Sequence, residues 1–225
     1  MGWARLEHLK KAILVNMNTA RINPGSNASP LQLGASCDVC APDLDALLGR
    51  IPALAVAWRS LPRRSLRKGQ TLVQMGATVA SMWRVERGLL RMYYRSEQGV
   101  ERNRSFHAQG HWLGAGAPPV ETASPYAIEA LEDSTLIEVS YALLMGWMAQ
   151  YPEVQSSLLG SLDGIFARQD QRVSELLMLD AALRYQAFLN LYGHIADRLR
   201  LHHVASYLGI TNVALSRIRR RRKDA

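Results

Sequence analysis

Apolar positions along this chain change their period twice. Between about Arg63 and Ser140 they fall in short runs: Thr71 to Gln74, Met82 to Val85, Leu89 to Tyr94, His111 to Leu113, Tyr126 to Leu131 and Thr135 to Ser140. The runs are separated by Lys68-Gly69, Met75-Gly76, Arg87-Gly88, Gln98-Gly99, Gln109-Gly110 and Glu132-Asp133-Ser134. Short runs bounded by turn residues predict strands, and many of them at even spacing predict a small β-barrel or sandwich. From Pro152 to about Leu177 the period becomes helical, with Leu158, Leu162, Ile165, Gln169, Arg172 and Leu176 alternating by four and three. That is a coiled-coil seam with two polar positions, and it predicts a dimer interface made by Leu158, Leu162, Ile165, Arg172 and Leu176. Gly160 and Gly164 weaken this helix but permit a close neighbour, and the pattern breaks near Leu179-Asp180.

The third regime, Leu201 to Arg220, has the spacing of a helix-turn-helix. Val204 and Leu208 lie one turn apart on a first helix, Leu215 and Ile218 three apart on a second, so each helix offers one apolar stripe to the other. Ile210 closes this small core. Ala205 stands where the helices cross, and Gly209 stands where a left-handed residue must end the first helix. Thr211 is placed to cap the second helix. An ordinary αα-hairpin would share this core, but the face left over is Asn212, Val213, Ser216, Arg217 and Arg220, which suits phosphates and base edges.

Charge sharpens that reading. The chain has 27 Lys+Arg against 19 Asp+Glu, a net +8, and much of the excess follows the second helix at Arg217, Arg219, Arg220, Arg221, Arg222 and Lys223. After a helix-turn-helix such a run supplies phosphate contact, which is salt-sensitive and independent of sequence. With 225 residues, 48% hydrophobic, the chain has room for two domains. No apolar run is long enough to span a membrane and Ala12 to Val15 is too short for a signal peptide, so a cytoplasmic location is expected. Cys37 and Cys40 form one C-x-x-C, which cannot alone fill a four-thiolate site. Two incidental thiols are the plain reading, and a redox pair or half of an intersubunit metal site is the other. Residues 1 to 36 read as a flexible segment of turn composition around Asn23-Pro24-Gly25, with helical spacing at Leu6, Leu9, Ile13 and Met17; a start at Met17 in place of Met1 fits equally. No P-loop, G-x-S-x-G or H-E-x-x-H is present, and Gly114-Ala-Gly116 runs into two prolines, so no enzyme is expected.

Taken in order, the turns Arg67-Lys68-Gly69-Gln70 with Met75-Gly76, Val85-Glu86-Arg87-Gly88 and Gly110-His111-Trp112-Leu113-Gly114, then Leu177 to Ala181, then Val204 to Ile218, resemble the cyclic-AMP receptor protein and fumarate-nitrate regulator (Crp-Fnr) family of bacterial transcription factors. The resemblance covers roughly residues 51–222. It implies an α+β chain: residues 1–36 flexible, 37–150 a β-roll sensor, 151–179 a dimerisation helix, and 180–225 a winged-helix-like DNA-binding domain. It also implies a homodimer that reads a palindromic operator in double-stranded DNA through Thr211 to Arg222, with RNA polymerase as a further partner. The nucleotide pocket it implies falls on Gly110, Trp112, Gly114, Ala115, Ser124, Tyr126, Gln169 and Asp170, near His107 and His111. Two residues depart from the family pattern there: Ala115 stands where a ribose-binding Glu is expected, and Ser124-Pro125 where an Arg-Ser pair holds the cyclic phosphate. Without that arginine a buried phosphate is poorly compensated, so control by cyclic AMP is not expected, and no cofactor or metal is implied. In the reader Arg217 matches a base-reading arginine, whereas Val213 replaces a Glu and would touch a thymine methyl, so the operator should differ from the usual family site. The alternative is a ligand-sensing or scaffold module whose basic tail binds nucleic acid or anionic surfaces non-specifically.

Overall fold

The computed structural model describes residues 44–115 and 118–223, all within the unit Ala35–Ala225. The expectations for residues 1–36, for Cys37 and Cys40, for Gly116 and for the side chain of Lys223 lie outside the described residues. Two short helices, α1 (Leu44–Arg50) and α2 (Pro52–Arg59), precede ten strands: β1 (Arg63–Leu66), β2 (Thr71–Val73), β3 (Thr78–Val79), β4 (Ser81–Arg87), β5 (Leu89–Arg95), β6 (Glu101–Ala108), β7 (Trp112–Leu113), β8 (Thr122–Ala123), β9 (Ala127–Ala130) and β10 (Ser134–Ser140). Then follow α3 (Tyr141–Gln150), α4 (Pro152–Met178), α5 (Ala181–Tyr192), a 3-10 turn (Gly193–Arg198), α6 (Leu201–Leu208) and α7 (Asn212–Lys223). Among the described residues no strand follows Ser140, so the reader carries no wing there.

The strands form two antiparallel sheets, ordered β1-β10-β4-β7 and β2-β9-β5-β6, with a β3-β8 ribbon beside them. Leu66, Val85, Leu90, Met92, Leu113, Ile128 and Leu136 fill the roll between the sheets. Strand β5 is buried at five successive positions because both of its faces are covered: Leu90 and Met92 point into the roll, while Leu89 packs into the reader. The β4–β5 turn depends on Gly88, at φ 112, since a Cβ there would lie 2.1 Å from Ser134 Oγ.

The sequence missed β6 outright, together with the short strands β1, β3 and β8. Strand β6 reads Glu-Arg-Asn-Arg-Ser-Phe-His-Ala, a polar run whose burial is achieved by partners rather than by apolar alternation. Two residues of the expected dimer seam meet partners within the chain. Leu158 is buried within this chain, in a cluster with Leu54, Tyr141 and Trp147, and Arg172 is turned onto α6, where it donates to the Tyr207 carbonyl and lies 3.9 Å from the Tyr207 ring. Ile165 and Leu176 of that seam are 37 and 46% exposed, and Leu159, Phe166 and Val173, one residue on from Leu158, Ile165 and Arg172, are 45, 68 and 55% exposed.

Candidate nucleic-acid interface

Helix α4 ends at Met178, and Asp180 starts α5 by accepting from the amides of Ala182 and Leu183, which satisfies two otherwise orphan donors. Arg184 ties this break to the reader by donating to the Leu179 and Leu208 carbonyls. In the reader Gly209 takes φ 71 and ψ 30, Ile210 donates to the Ala205 carbonyl, and Thr211 Oγ1 accepts from Ala214 N at 3.2 Å. Val204, Ala205, Leu208 and Leu215 are buried, and Ile210 and Ile218 pack against them. Asn212, Val213, Ser216, Arg217, Arg219, Arg220, Arg221 and Arg222 are all exposed on α7, as is Thr211 before it. Six exposed guanidinium-bearing or amide side chains on one short helix form a surface for a polyanion.

The first helix of the pair is held by both its neighbours. On the roll side, Asn103 N donates to Ser206 Oγ at 3.0 Å, Ser206 Oγ donates to the Glu101 carbonyl at 3.1 Å, and Asn103 Nδ2 donates to the His203 carbonyl at 2.9 Å. Buried Arg91 orients Asn103, donating to its Oδ1 at 3.1 Å while pairing with Glu101 and Glu129 at 2.7 Å each. Phe106 inserts its ring among Phe188, Tyr192 and Tyr207, and Arg198 joins Glu132 at 2.6 Å and the Gly88 carbonyl. On the other side Arg168 donates to the Tyr207 hydroxyl and pairs with Glu175, as Arg172 does. Sequence reasoning singled out none of this contact, because each residue is ordinary until the strand is placed.

Burial, then the charges of His202, Arg91 and Arg200, push His203 down to about 4, partly opposed by Glu101. The folded value is below the free value near 6.5, so docking favours the neutral ring. That contribution is intact above about pH 6.5 and is lost as pH falls toward 4, amounting to about 2 kcal/mol by pH 5. His107, pushed down to about 3, acts in the same sense. Thermal melts at about pH 7.5 and about pH 5 should therefore show acid destabilisation that is roughly halved in His203→Gln; an unchanged pH profile in that variant contradicts a role for His203.

The residues of the expected nucleotide pocket separate. Ala115 is fully buried, its carbonyl accepting from Tyr141 Oη at 3.3 Å. Ser124 is tied into its own turn, donating to the Tyr126 carbonyl, and Tyr126 Oη donates to the Gly114 carbonyl at 2.9 Å. Gly110 makes a turn at φ 86. Trp112 does not line the roll: it faces outward and packs edge-on against Trp58 at 5.7 Å, since alternation places its neighbour Leu113 inside. Gln169 is half-buried and Asp170 exposed on α4, with no hydrogen bond to the roll among the described residues. Among the described residues no group of three or more His, Cys, Asp or Glu could hold a metal ion.

Comparison with known proteins agrees with this architecture. Residues 63–151 match the cyclic nucleotide-binding domain. The fumarate and nitrate reduction regulatory proteins of Vibrio cholerae and of Escherichia coli K12 are each 25% identical over 167 residues, covering 69% of this chain and 66% of those proteins. The chain thus spans just under two thirds of the length of these relatives. FixK2 from Bradyrhizobium japonicum superposes with a TM-score of 0.65 at 20% identity, covering 72% of this chain and 83% of that one. A CooA mutant from Carboxydothermus hydrogenoformans gives 0.61 at 17%, over 75% and 79%. With a match to the cyclic nucleotide-binding domain, a long helix and a helix-turn-helix in this order, the chain is similar to regulators of the Crp-Fnr family.

Proposed function

We propose that the protein is a dimeric, sequence-specific DNA-binding transcription regulator acting in the cytoplasm. One observation carries this reading: the helix-turn-helix buries Val204, Ala205, Leu208 and Leu215, packs Ile210 and Ile218 against them, and leaves Asn212, Val213, Ser216, Arg217 and Arg220 exposed on one helix. A buried hairpin would not leave such a face to solvent. A second copy would pack on α4, where Leu159, Leu162, Phe166, Gln169, Val173 and Leu176 alternate by three and four, the spacing of a two-stranded coiled coil. Two α7 helices would then enter successive major grooves of an inverted repeat. No helix among the described residues is long and apolar enough to cross a membrane.

The reader residues divide by role. Arg217, exposed on α7, would form a bidentate pair with guanine, so Arg217→Ala should cost about 1 to 3 kcal/mol on the best site and relax specificity at one position. Arg221→Ala should instead weaken all sequences alike and shallow the salt slope by about one. Gel-shift titrations on specific and random duplexes test this. Equal losses on both duplexes for both variants would leave only the scaffold reading, in which the basic helix binds polyanions without reading them.

Cyclic AMP is not its regulator on this account. Ala115 offers no charged acceptor to a ribose, and the Ser124 hydroxyl is already committed to the Tyr126 carbonyl. Each missing charge-assisted hydrogen bond lowers affinity roughly ten- to hundredfold. Calorimetry should find no cyclic AMP binding below the millimolar range; low-micromolar binding would contradict it.

A further inference from the structure

Helix α6 has two working faces. Val204, Ala205 and Leu208 belong to the core it shares with α7. His203, Ser206 and Tyr207, three and four residues apart, fall together on the opposite face, and there two other elements grip the helix. From the roll, Asn103 Nδ2 donates to the His203 carbonyl at 2.9 Å, Asn103 N donates to Ser206 Oγ at 3.0 Å, and Ser206 Oγ donates to the Glu101 carbonyl at 3.1 Å. From α4, Arg172 donates to the Tyr207 carbonyl and Arg168 to the Tyr207 hydroxyl at 3.2 Å.

The side chains that grip α6 are themselves braced by buried charge. Arg91 holds the Asn103 carbonyl oxygen while it pairs with Glu101 and Glu129, and buried Glu175 pairs with both Arg168 and Arg172. Apolar burial at Phe106 already joins the two parts, so these polar groups add direction to a contact that exists without them. A hydrogen bond loses its strength within a few tenths of an ångström beyond about 3.2 Å and as it bends, whereas an apolar contact tolerates sliding. Buried polar pairs of this kind serve to select one register among several. Such selection matters here because the reader is joined to α4 by Leu179 and Asp180 alone, a link that by itself leaves the reader free to turn.

We infer that Asn103 and Ser206 determine which distance between half-sites the protein accepts. The inference rests on the proposed reading of DNA by a dimer. When α4 pairs with a second copy and α6 is gripped by both α4 and the roll, each α7 has one position relative to the two-fold axis. Inserting or deleting one base pair moves a half-site about 3.4 Å along the duplex and about 35° around it. For α7 to follow, α6 has to slide and turn by a comparable amount, and bonds of 2.9 to 3.1 Å at His203 and Ser206 do not survive that displacement. Asn103 and Ser206 stand on the far side of α6 from α7, so they act on spacing and leave the choice of bases to α7. Arg91 is a positioning residue that works through Asn103.

Gel-shift titration of the full chain, on duplexes that differ only in the number of base pairs between two identical selected half-sites, tests this. The parent should bind one spacing at least about thirtyfold more tightly than spacings one base pair shorter or longer. In Ser206→Ala, which removes two of the bonds and leaves a good helix former, that ratio should fall to about threefold, with the preferred half-site bases unchanged. Asn103→Ala should act in the same direction. Ile128→Val, which trims a residue of the roll core away from the reader, should keep the parent's ratio. A parent specific for its half-site but indifferent to spacing, or Ser206 and Asn103 variants that retain the parent's ratio, would overturn the inference and leave the proposed function standing. Tighter binding by Ser206→Ala at the preferred spacing would also overturn it, because the grip would then hold the reader away from DNA. Equal binding of operator and random duplexes by the parent would remove the proposed function and this inference with it.

Discussion

Phe106→Ala should cost about 3 to 5 kcal/mol and should release the reader while leaving the roll folded. Phe106 belongs by sequence to a roll strand, yet it is fully buried and its ring meets Phe188, Tyr192 and Tyr207 at 6.4, 5.4 and 5.8 Å. Every one of those partners is in the reader. Truncation therefore opens a cavity between the two parts rather than inside the roll, and leaves the reader joined to the roll mainly through the polar contacts of Asn103, Ser206 and Arg198. Ile128 is the contrast: it is equally buried but inside the roll, and Ile128→Ala should cost about 2 to 5 kcal/mol while loosening the sheets. Urea denaturation gives the magnitude, and native-state hydrogen exchange locates it. In Phe106→Ala the amides of α5 to α7 should exchange faster while those of β4 and β10 keep their protection. A loss below about 1 kcal/mol, or protection lost uniformly, would mean the contact does not couple the two parts.

The second large effect concerns assembly. Phe166→Lys with Val173→Lys should turn dimers into monomers and reduce specific DNA affinity by at least about a hundredfold, since a single half-site retains only part of the contact energy. Both residues are exposed in the chain as described, so the doubly substituted monomer should melt within a few degrees of the parent. Leu158→Lys should behave in the opposite way. That side chain is 8% exposed within its own chain, and burying a charge there destabilises the fold directly. Light scattering and melting together separate the two seams. A Phe166/Val173 variant that stays dimeric, beside a stable monomeric Leu158 variant, would restore the seam expected from sequence.

These two positions also mark where the sequence was legible and where it was not. The helix-turn-helix could be read residue by residue because its constraints are local: Gly209 must be left-handed, Ala205 must be small, and Thr211 must cap. The order of strands, long helix and reader was legible for the same reason, through turn residues and a change of period. The seam was ambiguous by one residue. Two stripes share Leu162, Gln169 and Leu176, and the attachment of Arg172 to Tyr207 and of Leu158 to the α3 side is what favours the second. Both of those contacts are long-range. Strand β6 was missed because its burial is polar: Asn103, Arg104 and Ser105 are covered by partners a hundred residues away or across the roll, which no alternation pattern encodes. Trp112 was misplaced for a related reason, since two-residue β7 gives too little periodicity to say which face is inside.

The central claim is that this chain reads DNA sequence as a dimer, and selection of bound duplexes from a random pool tests it most directly. The account predicts enrichment of an inverted repeat whose half-site centres lie about 34 to 36 Å apart, with a guanine in each half-site whose preference disappears in Arg217→Ala. Recovery of bound DNA with no enriched sequence, at an affinity set by salt alone, would contradict it.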